Sequence, residues 1–531
     1  MAINPTYPGV YVQEVDSGVR TLAGVPTSIA AFVGRTKKGP VDAPTACFNY
    51  GEFTRRFGGL DINSTVSYAV EDFFANGGGQ CEIVRLYTPE AEDNDGYAAF
   101  DHGSLKVRAA SPGSWGNSLT AEITYPKDSD PEGAKAVAQR YGVSEDDLFD
   151  LTIVDSATNA REVYRNLSVK EDAGEIRYDR QIEGSSLISF TPDGDGLAQF
   201  DNARPAKTAV DTPIEADGGS DGIALSEATY LGDPDKKTGI HALRKADIFN
   251  LLCIPPDQRD GDLLKSVREA AVKLCSEERA LLIVDPLKAW DKNPAEAASK
   301  VKTDQLNADD QVLSLTYADY AALYFPRLRK RDRLRGGQVD TFPPCGVVAG
   351  VMARTDVNRG VFKAPAGLGA TISGVDGLTV NLTDNENGLL NPIGVNCLRS
   401  FPNIGRVVWG ARTLKGSDQL SHDYKYVSVR RLALFIEESL FRGTQWVVFE
   451  GNDEPLWAQI RLSVGSFMQR LFLQGAFQGA SPKEAYFVKC DAETTTQDDI
   501  NRGIVNISVG FAPLQPAEFV MISIQQIRSA S

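Results

Sequence analysis

The motifs RRLALFIEESL (430–440) and GTQWVVFEGNDEPLWAQI (443–460) lie where the fold is clearest from the sequence, between Tyr424 and Gln526. Apolar side chains at helical spacing predict one helix over Val429–Leu440. The same spacing, with Pro455 in the first turn, predicts a second helix over Glu454–Gly475. These helices predict a compact C-terminal domain.

Four runs in the same region are rich in strand-forming residues, and they lie at 446–449, 485–489, 503–511 and 519–527. The last run follows Pro513 and Pro516, which detach it from the compact domain. Its alternate positions are Phe519, Met521 and Ser523. A strand at the end of a chain either folds back or pairs with another molecule.

The opening sequence, MAINPTYPGVYVQEV, is also extended in character. Alternating strand-forming residues follow two prolines, and they are Tyr7, Val10, Val12 and Val15. From these residues alone, the segment is either an edge strand of its own domain or an arm that pairs elsewhere.

Charge is distributed unevenly along the 531 residues, which is long enough for two to four domains. Residues 91–235 hold 29 acidic and 12 basic side chains, whereas the whole chain has a net charge of -16. The acidic excess therefore lies in one segment and disfavours nucleic-acid binding. Turn-rich sequence and weak strands over 119–125, 151–154 and 187–190 predict a β-rich insertion there.

Strand and helix signals alternate on both sides of this insertion. Apolar runs predict buried strands of a mostly parallel sheet, at 27–34, 81–86, 247–254 and 280–284. Gly77–Gly79 follows a predicted helix and precedes a strand, whereas a phosphate-binding loop runs from strand to helix. These glycines are therefore interpreted as a helix stop.

The run PRLRKRDRLRGG (326–337) is strongly basic. It has no interleaved aromatic residues, which weakens a nucleic-acid interpretation. We predict an exposed loop, with Arg329 and Arg331 as candidates for an ionic contact to acidic surface on a neighbouring subunit.

Few residues suggest catalysis. Asp285 ends a predicted strand, where α/β enzymes often place a carboxylate, but it has no recognisable partner in the sequence. The three histidines are far apart, and the common nucleotide and nucleophile motifs are missing, so no metal or cofactor is predicted. An α/β enzyme acting near Asp285 stays the alternative to a structural protein.

The chain also shows no sign of export or of membrane insertion. The seven cysteines form no CxxC pair and lie mostly in apolar runs, which predicts reduced, buried thiols. The sequence has neither a signal peptide nor an apolar stretch of membrane-spanning length. We therefore expect folding and assembly in the cytoplasm.

Several motifs resemble those of contractile tail sheath proteins, the family shared by contractile phages, phage-tail-like bacteriocins and extracellular contractile injection systems. Besides the two helical motifs and PGVYVQE near the start, they are ARTD (353–356), KAPA (363–366), NPIGVNCLR (391–399), WGARTL (409–414), AYFVKCD (485–491) and APLQPAEFVMISI (512–524). The insertion carries none of them. The resemblance does not distinguish a phage sheath from the other two kinds.

The resemblance implies a non-enzymatic subunit of a helical sheath that contracts around an inner tube and drives it through a target envelope. The implied parts are an N-terminal strand-donating arm (1–20), an α/β core (21–90 and 236–423) with mostly parallel sheet, the acidic β-rich insertion (91–235), an α+β C-terminal domain (424–512) and a C-terminal strand-donating arm (513–531).

The implied partners are further copies of the chain, an inner tube protein, and baseplate and terminal cap proteins. The resemblance places the C-terminal domain nearest the tube, so Arg461 and Arg470 on the second helix are candidate tube contacts. The particle would be assembled in the cytoplasm and released by lysis.

Overall fold

The computed structural model describes residues 22–522 except 92–93, 101, 103–106, 191–202, 210–211 and 315. The described chain forms two compact units. We call residues 28–358 and 365–425 the central unit, and residues 22–27, 359–364 and 426–522 the terminal unit.

The described strands are, in chain order, β1 (Ala30–Gly34), β2 (Thr45–Cys47), β3 (Cys81–Arg85), β4 (Ala99–Phe100), β5 (Val107–Ala109), β6 (Leu119–Thr124), β7 (Leu148–Asp155), β8 (Ala160–Ser168), β9 (Ile188–Phe190), β10 (Ile214–Asp217), β11 (Leu251–Cys253), β12 (Leu281–Val284), β13 (Ala321–Phe325), β14 (Leu328–Asp332), β15 (Gln338–Phe342), β16 (Gly377–Leu378), β17 (Val395–Phe401), β18 (Gly405–Val408), β19 (Tyr486–Lys489) and β20 (Ser508–Phe511).

The described α-helices are α1 (Tyr50–Phe57), α2 (Val66–Ala75), α3 (Pro126–Ser129), α4 (Pro131–Tyr141), α5 (Tyr178–Ile182), α6 (Glu227–Leu231), α7 (Lys265–Glu277), α8 (Ala297–Leu306), α9 (Cys345–Arg359), α10 (Asp384–Leu390), α11 (Val427–Gly443), α12 (Glu454–Leu473), α13 (Pro482–Ala485) and α14 (Gln497–Asn501). None of the helices in the described chain combines the length and apolarity needed to cross a bilayer.

An eight-stranded sheet in the order β18-β17-β13-β12-β11-β1-β3-β2 forms the centre of the central unit. The pairs from β17 to β3 are parallel, and the edge pairs β17·β18 and β2·β3 are antiparallel. Strands β1, β12 and β13 are buried at every position, as expected for a sheet covered on both faces. The strand order changes direction between β1 and β11.

Residues 99–217 contribute a second, fully antiparallel sheet, ordered β8-β7-β6-β10-β4-β5-β9. Its inward residues alternate along β6, where Leu119, Ala121 and Ile123 are buried. The strands predicted over 119–125, 151–154 and 187–190 correspond to β6, β7 and β9. A helix, α4, follows the Asp130 cap between β6 and β7.

The terminal unit packs α11 against α12, with the Phe435 and Phe467 ring centroids 5.8 Å apart. Its two strands, β19 and β20, pair antiparallel. The prediction of a β-rich run at 446–449 was wrong, because Gln445–Val447 is a 3₁₀ turn after α11. The predicted strand at 503–511 is confined to its last four residues, and residues 519–522 form no strand within the described chain.

Candidate assembly surfaces

Asp285 follows β12, as the sequence predicted, and its side chain is buried. One of its oxygens accepts from the backbone N–H of Cys345 at 2.9 Å, which caps the start of α9. Burial raises the pKa of Asp285 to about 6. The adjoining cavity is about 10 Å³, room for roughly one water molecule, so Asp285 serves the helix and meets no substrate-sized space.

The other predicted chemical features are also structural. Gly77, at φ 108°, follows the end of α2, and β3 begins at Cys81, so these glycines end a helix. All seven cysteines are buried and unpaired. No group of His, Cys, Asp or Glu within the described ranges is arranged to hold a metal ion.

The basic run is a strand, β14, and the exposed loop expected from the sequence was wrong. Along β14, Leu328, Lys330 and Asp332 are buried, whereas Arg329 and Arg331 are exposed. The alternation of buried and exposed positions could not be recognised in the sequence, because two of the three buried positions carry charged residues. Their burial is possible because each has an ionic partner from another element.

Those partners fix the hairpin of β14 and β15, residues 328–342, which we call the basic hairpin. Lys330 contacts Asp72, and Asp332 accepts from Tyr68 at 2.8 Å and pairs with Arg259 at 2.5 Å. Arg329 and Arg331 therefore stand on a rigid strand and face away from this network. Among the described residues, the Arg331 side chain pairs with Asp376 at 3.7 Å.

The end of the described chain is apolar and exposed. After Pro513 and Pro516, Glu518 accepts from the Tyr426 hydroxyl at 3.2 Å. Phe519 and Met521 are then 73% and 95% exposed, and Val520 and Ile522 about as much. Ser523 lies outside the described residues, as do Tyr7, Val10, Val12 and Val15 of the N-terminal segment.

The sheet of β19 and β20 has only two strands within the described chain. The chain beyond β20 pairs briefly with residues 476–478, through Gln478 N–H to the Ala512 carbonyl at 2.9 Å. A two-stranded sheet leaves backbone groups on its outer edges available for another strand.

Arg461 and Arg470 lie on α12, but both are used within the terminal unit. Arg461 donates to the Cys490 carbonyl and pairs with Glu454 at 2.6 Å. Arg470 donates to the Leu22 carbonyl. The exposed face of α12 instead carries Leu462 and Leu473, 51% and 74% exposed.

A further exposed apolar residue, Phe449, was missed from the sequence. Its side chain is fully exposed, and its backbone has a φ of 70°, a left-handed conformation that a bulky residue rarely adopts. The Glu-Gly-Asn sequence that follows is an ordinary turn signal and does not distinguish an exposed phenylalanine from a buried one.

Comparison with known proteins relates both units to tail sheaths. Residues 232–414 match the phage tail sheath protein central domain, and residues 419–527 match the phage tail sheath C-terminal domain, together more than half of the chain. The tail sheath protein of Vibrio phage KVP40 is 24% identical over 272 residues, covering 49% of this chain and 38% of its own length. That of Salmonella phage ViI is 24% identical over 187 residues, covering 35% and 28%. The matches thus span well under half of these relatives.

Solved structures share the fold over nearly the whole chain. The sheath complex of the extracellular contractile injection system PVC, in the contracted state, has a TM-score of 0.56 at 20% identity and covers 99% of both chains. The contracted helical sheath of the anti-feeding prophage has a TM-score of 0.55 at 22% identity, covering 98% of this chain and 99% of its own. A sheath tail protein from Listeria innocua has a TM-score of 0.56 at 13% identity, covering 93% and 96%.

Proposed function

Because the chain belongs to the contractile tail sheath protein family, we propose that it is the repeating subunit of a helical sheath that contracts around an inner tube. The observation that carries the proposal is the exposed run Phe519–Ile522 at the end of a tail that leaves a folded unit. The family consists of structural sheath proteins, and the enzyme alternative has no support in it.

Strand donation explains why this run is apolar. Four consecutive apolar side chains in water are unfavourable, and burying one of this size stabilises by about 1.5–3 kcal/mol. A neighbouring copy that pairs with the run satisfies its backbone groups and covers alternate side chains. The run therefore belongs to a strand-donating C-terminal arm, residues 513–531.

The acceptor is the sheet of β19 and β20. Within the described chain this sheet has two strands, so each of them has an outer edge, and the half-exposed Phe487 lies on β19. A donated strand would complete this sheet. The N-terminal arm of residues 1–20, with Tyr7, Val10, Val12 and Val15, supplies a second strand in the same way.

Paired strands let subunits move without separating. Backbone hydrogen bonds hold neighbours at the arms, while the folded domains rotate and slide past one another. The extended sheath is metastable, and contraction releases free energy because the domains bury more surface against each other. This motion drives the inner tube through a target envelope.

We propose that α12 contacts the tube. Because Arg461 and Arg470 already bind within their own unit, the exposed Leu462 and Leu473 are better placed to meet the tube.

Arg329 and Arg331 of the basic hairpin meet acidic surface on a neighbouring subunit. Baseplate and cap proteins bind the two ends of the sheath, and the particle is assembled in the cytoplasm and released by lysis.

Electron microscopy of the purified protein tests the proposal. The full chain is compared with chains that lack residues 1–18 or residues 519–531. We expect tubes from the full chain and folded, unassembled protein from either truncation. Monodisperse full-length protein under every condition, in the presence of tube and baseplate as well, would refute a sheath role.

A further inference from the structure

A cavity of about 240 Å³ lies at the carboxyl end of β11, beside the point where the order of the parallel strands reverses. Three carboxylates line it, and they belong to Glu227, Asp257 and Asp262. Three leucines also line it, and they are Leu225, Leu263 and Leu264. Leu264 is half-exposed at the edge of the cavity.

Tyr230 borders the cavity but packs into the hydrophobic core of the central unit. Its side chain is 5% exposed, and its hydroxyl has no hydrogen-bond partner among the described residues. The hydroxyl oxygen is closed to water, so it lies sealed behind the lining and does not face the cavity. Burial raises the pKa of Tyr230, so the hydroxyl is neutral.

The carboxylates differ in how far their own chain satisfies them. Asp257 pairs with Arg35 at 3.0 Å, and Asp262 pairs with Arg327 at 2.7 Å. Glu227 accepts from the Ser266 hydroxyl and has no ion pair within the described chain. A carboxylate without an ion pair and leucine walls together suit an arginine side chain, whose stem is apolar and whose head donates several hydrogen bonds.

The tip of the basic hairpin has the matching chemistry. Arg333 is 67% exposed, and within the described chain its ion pair is with Glu71, whose side chain is 26% exposed. An ion pair at the surface contributes little to stability and is easily exchanged. Leu334 beside it is 44% exposed. Because buried ion pairs hold β14 and β15 rigid, this tip is presented in a fixed shape.

We propose that the cavity receives Arg333 of a neighbouring copy, with Leu334 of that copy against Leu264. The inference rests on the proposed sheath, since it needs copies held side by side. The two surfaces are different parts of the subunit, so the contact is head-to-tail, and repeating it builds a ring or an open helical row of subunits instead of a two-fold dimer.

Charge exchange tests the pairing. Glu227→Lys and Arg333→Glu are each expected to raise the concentration needed for tube formation about tenfold, and the double variant is expected to restore it. Lys236→Glu, a reversal at a side chain that is 80% exposed, is the matched control and should assemble normally.

Cross-linking tests the geometry. All native cysteines are buried, so Leu264→Cys and Leu334→Cys introduce the accessible thiols. Differently tagged chains carrying one change each are assembled together and mildly oxidised, and a mixed-tag disulfide dimer is expected.

Wild-type tubes that form while Glu227→Lys and Arg333→Glu also assemble normally, with no mixed dimer, would overturn the pairing and leave the sheath role intact. Single variants that fail without rescue by the double variant would equally show that the two surfaces do not meet. Absence of tubes from the wild type, with its tube and baseplate present, would instead count against the sheath itself.

Discussion

Replacing Phe519 and Met521 with serine should abolish assembly at concentrations where the wild type polymerises, without changing the monomer. The two side chains are 73% and 95% exposed, so in the monomer they contribute almost nothing to stability. In a donated strand they become buried, which contributes about 3 kcal/mol for the pair after scaling by the exposed fraction. Since 1.4 kcal/mol is a factor of ten, the critical concentration should rise at least about a hundredfold.

The assay is sedimentation of polymer over a range of protein concentrations, with electron microscopy of the pellet. Gln515→Ser, at an exposed polar position of the same tail, is the control and should leave the critical concentration unchanged. Thermal melting of dilute protein should give the same midpoint for all three proteins. If the double variant assembles like the wild type, the tail is not a donated strand. If its melting temperature falls by several degrees, the side chains are buried within their own subunit and the premise is wrong.

Four further predictions concern charged residues and their neighbours. Burial raises the pKa of Asp285 from 3.8 to about 6, so between these pH values the folded chain holds a proton that the unfolded chain has lost. The free energy of unfolding therefore falls as pH rises through this range. In urea unfolding, Asp285→Asn should reduce the fall in unfolding free energy between pH 4.5 and 7.5 by about 2 kcal/mol. Asp72→Asn should instead lower the free energy of unfolding at neutral pH by about 3 kcal/mol, since it leaves Lys330 buried without its ionic partner. An unchanged urea midpoint would contradict this prediction. Arg461→Ala and Arg470→Ala should each lower the free energy of unfolding by about 1–2 kcal/mol, because each removes a hydrogen bond within the terminal unit. Leu462→Ser with Leu473→Ser should leave the free energy of unfolding unchanged and weaken co-sedimentation with the inner tube. The opposite pattern would indicate that the arginines make the tube contact. Arg329→Glu with Arg331→Glu should block assembly of a folded monomer, while Lys330→Glu, the inward neighbour, should unfold it.

The parallel sheet could be predicted because its strands are apolar on both faces. Buried strands were predicted over residues 280–284 and 27–34, and β12 and β1 lie within these ranges. The helices α11 and α12 were equally clear, since each combines apolar periodicity with a turn signal or proline at one end. These features depend on the local sequence alone.

The basic hairpin could not be predicted, because its burial depends on residues distant in sequence. Lys330 can be buried because Asp72 pairs with it. Asp332 can be buried because it pairs with Arg259 and accepts from Tyr68. In the sequence, six basic residues in twelve indicate solvent exposure. The internal roles of Arg461 and Arg470 were hidden for the same reason, because their acceptors are carbonyl groups of Cys490 and Leu22.

The two proposed kinds of contact suit different parts of contraction. A donated strand tolerates rotation of the domain that carries it, because a proline-containing tail links the two and the backbone pairing is local. A rigid hairpin tip in a cavity tolerates no such rotation, so it holds in one arrangement of neighbours and must release in another. The ion pair of the exposed Arg333 with the partly buried Glu71 gives the tip an alternative partner when it leaves the cavity, which keeps the cost of release small. A sheath built this way can break its hairpin contacts one after another while the arms keep every subunit attached.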